Sequence, residues 1–127
     1  MKSAFTMIEL IFVIVIIGIL AAVAIPKLAA SRDDARAGKE LSNLAIHIGD
    51  VAAHYVATGI ADENHTNVQL YCFDLNATDD NKTVTISVAP GGSHDGEAYC
   101  EKAQRDAQSK GLTGSKLVTI GGNLVSY

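Results

Sequence analysis

Residues 4–28 read AFTMIELIFVIVIIGILAAVAIPKL. Between Leu10 and Ile25 no side chain is charged or strongly polar. As a helix rising 1.5 Å per residue, those positions cover roughly 24 Å, short of a hydrocarbon layer of ~30 Å. Starting the helix at Phe5 makes the span long enough, but brings Thr6 and Glu9 into the apolar layer. A carboxylate there costs about 2.5–3.5 kcal/mol near the bilayer centre and less near an end. An acid in such a place is by default a functional hypothesis, with a partner still to be named.

A secretory signal is the rival reading. Lys2 would be its basic region, residues 10–21 its apolar region, and Ala22-Val23-Ala24 its cleavage site. Glu9 is out of place in such a signal, and the helical pattern does not stop at residue 24. Beyond Pro26, Leu41, Leu44, Ile48, Val51 and Tyr55 recur on one helical stripe. Arg36, Lys39, Glu40, His47, Asp50 and His54 occupy the other faces. Thr58-Gly59 supplies a stop. The pattern therefore predicts one helix from about Phe5 to Thr58, about 80 Å long, apolar all round and then amphipathic. Pro26 lacks an N–H and Gly18 is a weak helix former, so the helix is expected to kink or loosen between them.

The rest of the 127 residues has room for one domain. Its net charge of −4, with acids exceeding bases after residue 50, argues against a nucleic-acid surface. Asn67–Leu75 reads as a strand, "NATDDNK" as a turn, and Thr83–Ala89 as a strand with Val84, Ile86 and Val88 on one face. Glu97–Lys110 reads as a short helix stopped by Gly111, with Ser93 or Asp95 as its cap. "KLVTI" and "NLVSY", separated by Gly121-Gly122, read as a hairpin or a bent last strand. The fold class is α+β: a long N-terminal helix packed on a small antiparallel β-sheet, with a short second helix. Cys100, Ala103 and Ala107 share a helical stripe, which turns Cys100 toward the sheet. Cys72 and Cys100 then suit a disulfide in a non-cytoplasmic domain, against the alternatives of two buried free thiols or a metal pair.

Evidence for catalysis is thin. No Ser/His/Asp set, phosphate loop or pair of buried carboxylates can be argued, and an enzyme is not expected. His47, Asp50 and His54 read as a solvated helix face. His65 and His94 fall in loops without evident partners.

The run AFTMIELIFVIVIIGILAAVAIPKLAA resembles the N-terminus of type IV prepilins and their pseudopilin relatives. The resemblance is dense over residues 1–30 and extends in pattern to about residue 58. It implies a leader at 1–4, cleaved between Ala4 and Phe5 by a prepilin peptidase, and N-methylation of Phe5. It implies an assembly role for Glu9, and Pro26 matches the family's helix proline. The family usually has Gly where this chain has Ala4, which is still small. Segments 5–26, 27–58 and 59–127 become the transmembrane and assembly helix, the amphipathic helix of the head, and a β-rich globular region. Cleavage before Phe5 would create an amine that a neighbour's buried Glu9 can pair with in a staggered helix bundle. The implied function is a structural subunit of a pilus-like helical homo-oligomer, inserted in the inner membrane before export by the assembly machinery. A secretion pseudopilin, or a monomeric membrane-anchored periplasmic binding domain, is the alternative.

Asn64, Asn76 and Asn81 each begin an N-x-T triplet, with Asp62, Asp74 and Asp79 two positions earlier. This resembles the D/E-x-N-x-S/T acceptor of bacterial N-linked glycosylation. Asp74, Asn76, Thr78, Asp79 and Asp80 are also oxygen donors suited to calcium, although the spacing is not that of an EF-hand. Ordinary turn chemistry accounts for the same residues. All three readings stay open at the level of sequence.

Overall fold

The computed structural model describes the backbone of residues 4–80, 82–119 and 124–126, and the corresponding side chains as far as residue 115. Helix α1 spans Met7–Thr58 and ends where Thr58 Oγ1 donates back to the His54 carbonyl. It passes through Gly18 and Pro26 without a break in this single chain. Two compact units result, Met1–Asp33 and Asp34–Tyr127.

In the first unit the apolar side chains of α1 are exposed, including Ile8, Phe12, Ile16 and Leu20. The second unit has the core. Ala37, Leu41, Leu44, Ile48, Val51, Ala52 and Tyr55 form the buried stripe of α1. Their positions follow the 3.6-residue period that places i, i+3, i+4 and i+7 on one face. Full burial of residues such as Leu44, Val51, Val84 and Ile86 contributes about 1.5–3 kcal/mol each.

Four strands follow: β1 (Phe73–Asp80), β2 (Thr83–Pro90), β3 (Gly114–Thr119) and β4 (Leu124–Ser126). They lie in the order β1-β2-β3-β4, and every neighbouring pair is antiparallel. β2 behaves as its alternation predicts, burying Val84, Ile86 and Val88. The β3–β4 pairing makes the expected hairpin; Gly121-Gly122 lies outside the described residues.

The first strand departs from expectation. Residues 67–72 are not strand, and pairing runs instead from Phe73 to Asp80. The reason lies in where the backbone donors go. Glu40 Oε2 on α1 accepts the N–H groups of Tyr71 and Cys72, both at 3.2 Å. The residues read as a turn, Asn76–Asp80, pair with Ser87 back to Thr83, so the hairpin closes between Asp80 and Thr83. Their polarity is tolerated because β1 is an edge strand whose outward positions Asp74, Asn76 and Thr78 are exposed.

Helix α2 (Ala98–Ser109) lies between β2 and β3 in the chain. Its N-cap is Glu97, with no side-chain cap, rather than Ser93 or Asp95. Its end is a Schellman motif: Gly111 has φ 68°, its N–H reaches the Gln108 carbonyl, and Leu112 N–H reaches Ala107. Tyr99, Cys100, Ala103 and Ala107 are buried in the same core as the α1 stripe and β2. Cys72 and Cys100 form a disulfide beside them, with Cα atoms 5.1 Å apart. Gly92, at φ 87°, lets the β2–α2 loop pass the Tyr71 carbonyl; a Cβ there would lie 2.4 Å from that oxygen.

Candidate functional site

The start of α1 is built by a reciprocal cap. Thr6 precedes the helix, and its Oγ1 accepts the Glu9 N–H at 3.3 Å. Glu9 Oε2 in turn accepts the Thr6 N–H at 2.9 Å. This is a capping box, in which two backbone N–H groups without intrahelical partners are each satisfied by the other residue's side-chain oxygen. It also sets a negative charge at the positive end of the helix dipole. The signal T-x-x-E before an apolar run was present in the sequence, where the helix was instead expected to begin at Phe5. Ala4 and Phe5 are exposed, non-helical residues ahead of the cap.

Apolar side chains surround the helix from there. Phe5 is 88% exposed, and large apolar side chains as far as Leu28 remain open, with no polar face among them. Among the described residues, α1 is long and apolar enough to cross a membrane by length and composition. Exposed apolar surface on this scale calls for lipid or protein around it.

Residues 1–25 match the family described as the prokaryotic N-terminal methylation motif. The chain carries a prepilin motif. No curated protein and no solved structure matches the chain. The prepilin motif covers residues 1–4, the cap and most of the apolar run, and stops at Ile25, just before Pro26.

Elsewhere the residues singled out in the sequence take varied places. Asn64 is exposed in the α1–β1 loop, and Asn76 is exposed on an edge strand rather than a turn; Asn81 lies outside the described residues. The proposed calcium donors from Asp74 to Asp80 are strung along β1. Strand geometry separates its ends by about 20 Å and alternates the faces of the side chains, so they do not converge on one ion. Asp79 instead accepts the Ala61 N–H at 3.2 Å.

The helix face read as solvated is largely engaged. Glu40 is 3% exposed and holds the two donors named above. Its spacing from Ala37 and Leu44 was the available signal, since i, i+3 and i+7 share one stripe. His47 Nε2 donates to the Glu63 carbonyl at 2.8 Å, and Asp50 accepts the Thr66 hydroxyl at 2.7 Å. His54 stacks on His65 with ring centroids 3.9 Å apart, and Asp62 lies beside them. His94 stacks on Tyr71 and hydrogen-bonds the Tyr99 hydroxyl. Burial raises the Tyr99 phenol above its usual range, with Glu97 and Glu40 adding to the effect.

Proposed function

We propose that the chain is a structural subunit of a type IV pilus-like filament, polymerised through the apolar part of α1. The observation that carries this reading is the prepilin motif leading directly into an exposed apolar helix with a carboxylate in its first turn. A prepilin peptidase cuts between Ala4 and Phe5, which the exposed and non-helical state of both residues favours. The new amine of Phe5 is then methylated. Before assembly the precursor sits in the inner membrane, with lipid covering the apolar side chains. In the filament, neighbouring helices replace lipid.

Glu9 selects the register. Inside a helix bundle, an unpaired carboxylate or ammonium is costly, whereas a pair is tolerated. A stagger that sets the Phe5 amine of one subunit against Glu9 of another satisfies both, and other staggers satisfy neither. Loosening near Gly18 and Pro26 belongs to the packed filament, since α1 is continuous in the single chain.

Intact-mass measurement of the native protein tests the reading, together with the ratio of sheared filament to membrane-bound subunit. A mature chain that begins at methylated Phe5 and shears from cells is the expected result. A terminus at Ile25 would establish an ordinary signal peptide. A correctly processed chain that never leaves the membrane would establish a tethered monomer.

A further inference from the structure

We propose that His54, Asp62 and His65 form a binding site for one divalent transition cation of the zinc type. The three side chains come from the last turns of α1 and the loop that follows it. One ligand atom from each lies within 4.8 Å of the others. Ligands around a tetrahedral zinc at ~2.0–2.2 Å lie roughly 3.3 Å apart, so closure asks for a movement of order 1 Å and for one imidazole to turn out of the stack, because the in-plane lone pairs of stacked rings run side by side. His65 is exposed and has room for that rotation.

Local structure holds the ligands in place. Asp62 Oδ1 accepts the Asn64 N–H at 2.9 Å, which orients the carboxylate. The loop is tied down further where Glu63 O meets His47, Thr66 meets Asp50 and Ala61 N–H meets Asp79. A groove lined by Asp50, His54, Ala57, Asn64 and His65 opens the stacked rings to solvent. The site is thus anchored and reachable.

Chemistry selects the cation. Two imidazoles and one carboxylate suit zinc and its borderline neighbours, whereas calcium and magnesium favour sets built from oxygen. Competing soft ligands are engaged, because both cysteines lie in the disulfide. The other two histidines hold protein partners, Glu63 and Tyr99. Three protein ligands leave a fourth position for water or an external donor. Bound metal clamps the α1–β1 loop to α1, with Asn64 between two of its ligands.

The test uses the full chain in detergent micelles, with its disulfide intact and without a polyhistidine tag. After chelation, Zn2+ alone is titrated by calorimetry and Co2+ alone by visible absorption. One equivalent of Zn2+ is expected, with a raised thermal midpoint and the d–d bands of tetrahedral Co2+. Loss of an outer partner of a metal site already costs about 10–100-fold in affinity. His54→Gln, Asp62→Asn and His65→Gln should therefore each weaken binding at least about tenfold, and His94→Gln should not. Circular dichroism confirms the fold of each variant; if His54→Gln unfolds, the exposed His65→Gln decides. Absence of stoichiometric Zn2+ binding, wild-type affinity in folded His65→Gln, or equal displacement by Ca2+ overturns the site.

Discussion

Replacing Glu9 by Gln separates the two roles that the structure and the filament reading give this carboxylate. Glu9 Oε2 accepts the Thr6 N–H at 2.9 Å, and an amide oxygen can accept the same bond. Glu9→Gln thus keeps the capping box while removing the charge. Within the single chain it forfeits the favourable placement of that charge at the helix start, about 0.3–1 kcal/mol. Within an apolar bundle it leaves the Phe5 ammonium of a neighbour unpaired, at about 3–5 kcal/mol. The second figure corresponds to roughly a 100- to 4,000-fold loss in the assembly equilibrium. Membrane insertion should be unchanged or improved, because removing a charge lowers the cost of entering lipid. Thr6→Val is the complementary change. It removes the hydroxyl that accepts the Glu9 N–H at 3.3 Å but leaves the charge, so filament yield should fall little. The assay is the ratio of sheared filament to membrane-bound subunit, after mass spectrometry has confirmed cleavage before Phe5. Wild-type filament yield from processed Glu9→Gln subunits would refute the pairing and leave Glu9 as a helix cap. A defect in Thr6→Val as large as in Glu9→Gln would move the burden from charge to helix initiation.

The globular unit offers three further tests. Glu40→Ala strands the buried N–H of Cys72, at about 1–3 kcal/mol, and leaves the part-buried N–H of Tyr71 to find water at a smaller cost, so it should destabilise the chain by about 1–4 kcal/mol in chemical denaturation. A loss under about 0.5 kcal/mol, typical of a surface change, would show that these bonds are replaceable. Replacing Cys72 and Cys100 together with Ala opens a link between residues 28 apart and should cost about 3–4 kcal/mol in the same assay, with equal stability contradicting the expectation. On the alkaline side, burial first and then the neighbouring acids raise the phenols of Tyr55 and Tyr99 above their ordinary 10.0. The folded chain therefore holds those protons more tightly than the unfolded chain, and stability should be level up to that pH and fall above it. The hydrogen bond to Asp34 raises Lys102 above 10.5, so its contribution is complete below that pH and is lost as pH rises through the raised value. Thermal midpoints that stay constant well above pH 10.5 would contradict all three assignments.

What the amino-acid order alone determined is what repeats along the chain. The unbroken apolar run and the stripe from Leu41 to Tyr55 define α1, because a 3.6-residue period has one structural meaning. Alternation defines β2, and the Cys100–Ala103–Ala107 stripe sets the inward face of α2. The prepilin motif is likewise a local pattern, and so was the capping box at Thr6 and Glu9. The start of β1 is different. Its onset depends on Glu40 taking backbone donors 31 and 32 residues away, and no local period encodes that exchange. Asn76–Asp80 carries turn-forming residues, yet pairing with β2 on an exposed sheet edge overrides their preference. His54 meets His65 and Asp62 only because the chain reverses after α1 and the loop is pinned by Asp50, His47 and Asp79. Periodicity reports which face of an element is apolar; only the folded backbone decides which distant polar groups satisfy one another there.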